Sequence, residues 1–224
     1  MQRKIKSYVL RAGRVSNRQQ QGLDQWLKEY ELPLNHAPWN YAEFFGRTSD
    51  VIVEIGFGMG HSLLTMAKEN PHLDYIGIEV HKAGVGSLVA DVHEQQVSNI
   101  RIIAHDAVEV FQTQLADHSL GGVQIFFPDP WHKKRHHKRR LIQPAFIHLL
   151  AQKIKPGGFI HCATDWQDYA EHMLDVLSHE PLLHNQQQQG GYSPRPASRP
   201  LTKFEQRGER LGHGVWDLLF IKNA

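Results

Sequence analysis

The 224-residue sequence contains a single cysteine, Cys162, and no apolar run long enough to span a membrane. One cysteine cannot form an internal disulfide, which argues against a disulfide-stabilised secreted protein and fits a reducing compartment. Residues 1–18 also lack the hydrophobic centre of a signal peptide. We therefore expect a cytoplasmic protein without membrane contact. Cys162 lies in an apolar stretch, so we expect a core side chain and not a nucleophile.

Acidic residues are missing from two segments that are rich in cations. Residues 1–20 and residues 131–140 each hold six Lys and Arg and no acid, and residues 195–210 hold five cations with two acids. The rest of the chain keeps 8 cations against 21 anions. A single basic run is usually a solvated face or a tail, but three such runs in an acidic chain favour a surface that binds phosphates.

Apolar strands alternate with helical patterns along most of the chain. This alternation predicts βαβ units, a mostly parallel sheet and helices on both faces, in an α/β, doubly wound fold. We expect residues 1–35 to form a basic arm with a short helix, and residues 36–224 to form one domain with a loop and helix extension at 185–212. The expected strands are 51–55, 74–79, 100–105, 122–127, 159–164 and 215–222. The expected helices are 23–30, 61–69, 82–96, 107–115, 140–153, 166–179 and 202–210.

A glycine-rich turn follows the first expected strand in the segment Glu54-Ile-Gly-Phe-Gly-Met-Gly60. Gly56, Gly58 and Gly60 would allow a tight turn that a ligand can approach closely. Acids follow at the next strand ends and complete a set of four, at Glu54, Glu79, Asp106 and Asp129. Glu79 could accept the hydroxyls of a ribose and Asp106 could meet an adenine ring.

The acids favour one class of nucleotide ligand. A dinucleotide such as NAD brings a pyrophosphate, which acids around the glycine turn would repel. S-adenosylmethionine has no phosphate and carries a sulfonium and an α-ammonium, for which Glu54 and Asp129 are suitable partners. We therefore prefer a methyl donor and keep an NAD-dependent oxidoreductase as the alternative.

Asp129 lies in an unusual stretch, Phe126-Phe-Pro-Asp-Pro-Trp-His-Lys-Lys-Arg-His-His-Lys-Arg-Arg140. Its two neighbouring prolines fix their own φ and bias Phe127 and Asp129 toward extended conformations. The acid would therefore sit on a stiff turn at a strand end, beside cations that suit a polyanion.

Several of these segments together resemble one family, the bacterial tRNA (guanine-N7-)-methyltransferases. The resemblance runs in order from about Lys4 to Phe220 and includes the segments 54–60, 77–81, 126–133, 163–166, 195–207 and 212–216. It implies the class I methyltransferase fold with a seven-stranded sheet, S-adenosylmethionine as donor, and methylation of N7 of guanosine 46 in the tRNA variable loop. It implies a tRNA partner. The oligomeric state, monomer or homodimer, stays open, and no obligatory protein partner is evident.

The same resemblance implies roles for individual residues. Asp129 would be catalytic and would also bind the donor, together with Glu54, Gly56, Gly58, Gly60, Glu79 and Asp106. Substrate contacts would come from Lys133, Asp165, Thr202, Lys203, Phe204 and Glu205. The RNA would contact Arg135, His136, His137, Lys138, Arg139 and Arg140.

The chemistry restricts the role of Asp129. Guanine N7 carries an unprotonated lone pair at neutral pH, so its methylation needs no general base. Positive charge moves onto the purine, so a carboxylate can orient the base and balance that charge. Methyl transfer to another RNA base position, or RNA binding without catalysis, stay as alternatives.

Some residues have alternative roles that the sequence leaves open. Trp131 could stack on a base or pack the turn, and Asp165 could bind guanine or cap a helix. The spacing of Thr202 and Glu205 is that of a capping box, which is compatible with substrate binding. The clustered histidines 132, 136 and 137 do not predict a metal site, because neighbouring cations repel a dication and no acid or cysteine completes a ligand set.

Overall fold

The protein is described by a computed structural model that covers residues 6–9, 13–201, 205 and 214–224. The strands are β1 (Val51–Ile55), β2 (Asp74–Ile78), β3 (Ile100–Ile103), β4 (Leu120–Phe126), β5 (Ile154–Thr164), β6 (Leu183–Asn185) and β7 (Trp216–Lys222). The α-helices are α1 (Asn17–Gln21), α2 (Leu27–Tyr30), α3 (Tyr41–Phe45), α4 (His61–Glu69), α5 (Lys82–Glu94), α6 (Ala107–Thr113), α7 (Pro144–Lys153) and α8 (Gln167–Ser178). A π-helical turn, Gly22–Trp26, joins α1 to α2, and a 3-10 helix spans Lys134–Arg139.

The seven strands form one sheet in the order β3-β2-β1-β4-β5-β7-β6. Strands β1 to β5 are parallel, and β7 runs antiparallel to both β5 and β6. This confirms the α/β prediction with a mostly parallel sheet. The strand order reverses between β1 and β4, and in open α/β sheets ligands bind beyond the carboxyl ends of the strands at such a point.

Strand residues alternate between two apolar clusters, one on each face of the sheet. Val53 packs into the cluster that includes side chains of α6, α7 and α8, whereas Ile52 packs into the cluster that includes α4, α5 and the N-terminal helix. Burial on both faces explains why β1, β2 and β4 are largely apolar and do not alternate with polar residues. Cys162 is fully buried on β5, and burial raises its thiol pKa to about 12, as expected of a core residue.

The N-terminal helix begins earlier and packs more tightly than the sequence predicted. It begins at Asn17, where Ser16 and Gln19 form a reciprocal capping box. A Cβ at Gly22 would lie 2.4 Å from the carbonyl oxygen of Gly86 on α5, so the two backbones touch. The helical segment expected over 23–30 therefore extends back to Asn17 and lies against α5.

Two further boundaries differ from the prediction. The helix expected over 140–153 begins only at Pro144, because proline favours the first turn and lacks the N–H that an interior position needs. The short strand β6 lies in a segment without a strand pattern, since only Leu183 of its three residues is buried. None of the helices in the described ranges has the length and apolar composition that crossing a bilayer requires.

Candidate active site

The glycine turn after β1 lies at the carboxyl edge of the sheet and opens into two cavities. Gly56, Gly58 and Gly60 all have positive φ, at 74°, 58° and 85°. Positive φ strains any residue with a side chain, and a Cβ at Gly60 would also lie 2.7 Å from Leu88. The turn therefore requires glycine for its shape, as the sequence predicted.

Cavities of about 340 Å³ and about 640 Å³ lie on either side of this turn. Gly56, Gly58, Phe126 and Phe127 line both. The first cavity is also lined by Ser7, Tyr8, Glu79, His81, His105 and Asp129, and the second by Glu54, Met59, His61, Thr65, Arg199 and Leu201. Three of the four predicted acids thus reach one connected region.

Glu79 follows β2 and is held by backbone donors. Its Oε1 accepts hydrogen bonds from the N–H groups of Val80 (2.6 Å) and His81 (3.0 Å), and its Oε2 accepts one from Gly58 N–H (3.0 Å). The side chain is 6% exposed. Three donors fix the carboxylate against the glycine turn and leave lone pairs for hydroxyl groups of a ligand, since a carboxylate offers about four acceptor sites.

Glu54 lies on β1 and is buried without a compensating charge. Desolvation, with a smaller contribution from the charge of Glu79, raises the pKa of Glu54 to about 8. Its Oε2 has no hydrogen-bond partner among the described residues, and the same is true of Oε1 of Gln124, its neighbour on β4. Buried acceptors are normally paired, so two unpaired ones here fit a ligand that brings N–H donors.

Asp129 lines the first cavity, whereas Asp106 lines a neighbouring cavity together with Lys6 and Ser7. Asp106 caps α6 by accepting from Val108 N–H (3.0 Å), and its other oxygen pairs with Lys6 (2.6 Å). Asp129 is exposed and makes no hydrogen bond within the described part of the chain. Its carboxylate is therefore available to a ligand, whereas Asp106 would first have to exchange Lys6.

The turn that carries Asp129 differs from the expected conformation. Phe127 has a φ of 50°, in the left-handed region, and is not extended as predicted. Its N–H donates to Ala163 of β5 (2.8 Å), so pairing with the neighbouring strand overrides the bias from the following proline. A left-handed non-glycine residue costs on the order of 1–3 kcal/mol, and such positions cluster at functional sites.

Trp131 packs the turn, which decides between its two predicted roles. Its indole N–H donates to the carbonyl of Ser7 (3.1 Å), and the Arg139 guanidinium lies 3.9 Å from its ring centroid. Arg139 also donates to the carbonyls of Lys6 and Tyr8, both at 3.2 Å. The segment 6–8 is thereby fixed beside the first cavity, a position that the sequence did not indicate.

The predicted RNA-binding residues divide into exposed and buried side chains. Arg135 and Lys138 are exposed, as is Lys133, which is predicted to contact substrate, and His136, His137 and Arg139 are partly buried. Arg140 contradicts the prediction that it contacts RNA, because it is 3% exposed, donates to the carbonyl of Pro130 (2.9 Å) and pairs with Asp168 of α8. Its guanidinium fixes the loop from inside.

Asp165 follows β5 and does not cap the next helix. The N-cap position of α8 is Trp166, whose N–H donates to Oγ1 of Thr164 (3.2 Å). The capping alternative for Asp165 is therefore wrong. Asp165 is partly exposed and makes no hydrogen bond among the described residues, so its carboxylate stays available for the predicted substrate contact.

A buried ionic network is centred on Arg199, which also lines the second cavity. Arg199 donates to both oxygens of Glu205 (2.6 Å each) and both oxygens of Asp217 (2.7 and 2.8 Å), and Asp217 also pairs with His161 (2.7 Å). All four side chains are at most 2% exposed. Glu205, predicted to contact substrate, is thus bound to Arg199 in this structure. The other predicted contacts in this segment, residues 202–204, and the capping box at 202 lie outside the described residues.

Comparison with known proteins identifies the family. A family model described as "Putative methyltransferase" matches residues 48–218. A tRNA (guanine-N(7)-)-methyltransferase of Legionella pneumophila (strain Paris) is 74% identical over 225 residues, covering 100% of this chain and 95% of that relative. The chain belongs to this family. The tRNA (guanine-N(7)-)-methyltransferase of Pasteurella multocida (strain Pm70) is 54% identical over 98% of this chain and 86% of its own.

A solved structure supports the fold of this methyltransferase. The 16S rRNA methyltransferase KamB aligns with a TM-score of 0.59 at 14% identity, covering 82% of this chain and 93% of that chain. At this identity the likeness concerns the fold alone. Membership in the tRNA (guanine-N(7)-)-methyltransferase family removes the NAD-dependent oxidoreductase as an alternative.

In this methyltransferase, sequence analysis missed four side chains that border the site. The sequence did not indicate Gln124 and Arg199, because their place in the site depends on burial beside strands that are distant in sequence. Tyr8 reaches the cavity only through the folded contacts of Trp131 and Arg139, which no local pattern reports. Trp166 was read as the first residue of a helix, and its exposure beside Asp165 is visible only in the fold.

Proposed function

We propose that this protein transfers the methyl group of S-adenosylmethionine to N7 of guanosine 46 in tRNA. The observation that carries the proposal is the arrangement of charge at one edge of the sheet. Acid-lined cavities flank the glycine turn, and exposed cations begin at Lys133, four residues after the exposed carboxylate of Asp129. A cationic donor and a polyanionic acceptor would each meet charges of opposite sign there.

The residues around the glycine turn fit the donor. S-adenosylmethionine supplies a methyl group bound to a sulfonium. The unpaired acceptors of Glu54 and Gln124 would receive N–H groups of its α-ammonium, which has up to three to donate. Glu79 would accept the ribose hydroxyls while the glycines allow close approach to the backbone. Asp106 would reach the adenine after releasing Lys6.

Asp129 would orient the guanine and balance its developing positive charge. It extends from a turn that is fixed at Phe127 by β5, so it does not have to be ordered when the substrate binds. Asp165 follows the adjacent parallel strand and would bind a second part of the base. No proton has to leave N7, so neither carboxylate has to act as a base.

The decisive experiment is to incubate unmodified tRNA with methyl-labelled donor, digest the product and identify the labelled nucleoside. We expect 7-methylguanosine at position 46. Label in another nucleoside, or RNA binding without transfer, would refute the proposal.

The role of Asp129 is tested with the isosteric change Asp129→Asn. Because it removes the charge and keeps the shape, single-turnover methylation should fall by about 10²-fold or more. The affinity for S-adenosylhomocysteine should change by less than about threefold, on the order of 0.6 kcal/mol. Asp117→Asn, at an exposed position paired with Lys153, is the matched control and should leave both quantities unchanged. Equal losses of rate and donor affinity in Asp129→Asn would contradict the role.

A further inference from the structure

Trp166 exposes a large aromatic surface next to the predicted substrate site. It is 41% exposed, immediately after Asp165 at the carboxyl end of β5. β5 pairs in parallel with β4, which leads into the turn of Asp129. The indole therefore belongs to the same edge of the sheet as both carboxylates that we assign to the guanine.

The position of Trp166 does not serve the helix that it begins. It occupies the N-cap of α8, where Ser, Thr, Asp and Asn are preferred because their side chains accept a backbone hydrogen bond. The indole makes no such bond. Trp166 therefore neither caps the helix nor buries its whole apolar surface. Such local inconsistencies are found at functional sites.

The backbone of Trp166 is nevertheless rigidly held. Its N–H donates to Oγ1 of Thr164 (3.2 Å), and its carbonyl accepts from the N–H groups of Tyr169 (3.0 Å) and Ala170 (2.9 Å). The indole also meets the His132 ring edge to face, with 4.2 Å between the centroids and 73° between the planes. Because His132 is three residues from Asp129, this contact ties the indole to the catalytic turn.

Trp131, the other tryptophan of this region, is already engaged by other residues of the chain. One side of its ring is covered by Arg139, and its N–H is bonded to Ser7. In the described part of the chain, His132 is the only ring in contact with the Trp166 indole. A fixed and exposed ring beside a nucleic-acid site is what base stacking requires.

We propose that Trp166 stacks on a nucleobase of the acceptor RNA, with His132 supporting one edge of the indole. The inference rests on the proposed function. The base is either the guanine that is methylated or a neighbouring nucleotide, and both offer the same π-face. Stacking on the methylated guanine would also place the developing positive charge over an electron-rich ring.

The test compares Trp166→Phe with Trp166→Leu. Single-turnover methylation at saturating donor gives the tRNA concentration for half-maximal rate. Loss of one base–aromatic stack predicts an increase of about 5-fold to 150-fold in Trp166→Leu. Trp166→Phe keeps a ring and should stay within about threefold of the wild type, on the order of 0.6 kcal/mol. Affinity for S-adenosylhomocysteine should not change in either variant.

Trp26 provides a matched control on the same protein. It stacks on His93 with 4.4 Å between centroids, near the far end of α5 from the site. Trp26→Phe and Trp26→Leu should leave the half-maximal tRNA concentration unchanged.

A second readout does not depend on the stability of the leucine variant. tRNA should quench tryptophan fluorescence less in Trp166→Phe than in the wild type.

tRNA substrates with an abasic site next to the target guanosine show whether Trp166 stacks on the target guanine or on a neighbouring base. If Trp166 stacks on a neighbour, the defect of Trp166→Leu disappears with the matching abasic tRNA; if it stacks on the target, the defect persists. The inference would be overturned if both Trp166 variants had the same half-maximal tRNA concentration and the same fluorescence quenching by tRNA as the wild type. Failure of the wild type to form 7-methylguanosine would instead refute the proposed function, and the quenching measurement is independent of methyl transfer.

Discussion

Replacing Glu54 by glutamine should stabilise the protein without ligand while weakening donor binding. Glu54 is 3% exposed, and its pKa is raised from 4.5 to about 8, mainly by desolvation. The folded state therefore holds this proton more tightly than the unfolded state does. By linkage, the wild type loses stability as the pH rises from about 4.5 to about 8, and the loss is complete above that range. Glutamine has the same shape and never ionises.

The magnitude follows from the two pKa values. The stability advantage of Glu54→Gln over the wild type should grow by about 2–3 kcal/mol between pH 5 and pH 7, and by a further ~1 kcal/mol between pH 7 and pH 9. Effects of the substitution that do not depend on pH, such as altered packing, change the free energy of unfolding by the same amount at pH 5, 7 and 9. The pH-dependent difference thus isolates the ionisation of Glu54.

Urea unfolding of both proteins at pH 5, 7 and 9 measures this difference. Glu69→Gln, an exposed change on α4, is the control and should show no comparable trend. An advantage of Glu54→Gln that is the same at all three pH values would refute the reasoning. Calorimetry of S-adenosylhomocysteine in several buffers at pH 7 should also detect proton release by the wild type, because the bound ammonium favours the ionised carboxylate. The variant should release almost none.

Two further predictions concern the ionic network and the RNA surface. Arg199→Met removes the guanidinium that donates to both Glu205 and Asp217, although Asp217 keeps its contact with His161, and should lower the free energy of unfolding by about 3–5 kcal/mol, measured in urea; a loss below about 1 kcal/mol would contradict the network's importance. Replacing the exposed Arg135 and Lys138 by alanine should reduce the slope of log affinity for tRNA against log salt by about 2, since each phosphate contact contributes about 1. Lys155→Ala, at the opposite end of β5, should leave the slope unchanged.

The sequence predicted the site best where one backbone rule was sufficient. Apolar runs indicated five parallel strands, and parallel strands end at a common edge, so the positions of Glu54, Glu79 and Asp129 followed from the pattern alone. The glycine turn followed for the same reason, because positive φ at three alternate residues leaves little choice but glycine.

Predictions failed where a side chain has partners that are distant in sequence. Arg140 reads as one more cation in a basic run, yet it is buried and bonded to Asp168 and Pro130. Phe127 precedes a proline, yet pairing with Ala163 holds it in the left-handed region. In both cases tertiary contacts outweigh a local preference of order 1 kcal/mol, and a local pattern cannot report the contact that prevails.

The basic run after Asp129 divides into two anchoring arginines and a set of exposed cations. Arg139 and Arg140, its last members, hold the loop to the segment 6–8 and to α8. Their guanidinium groups suit this because each planar fork can donate to several acceptors at fixed angles. The earlier cations point to solvent, where phosphates can reach them. Since the anchoring arginines are already bonded, RNA binding would neutralise the exposed cations without releasing the turn, and Asp129 would stay in position while the acceptor arrives.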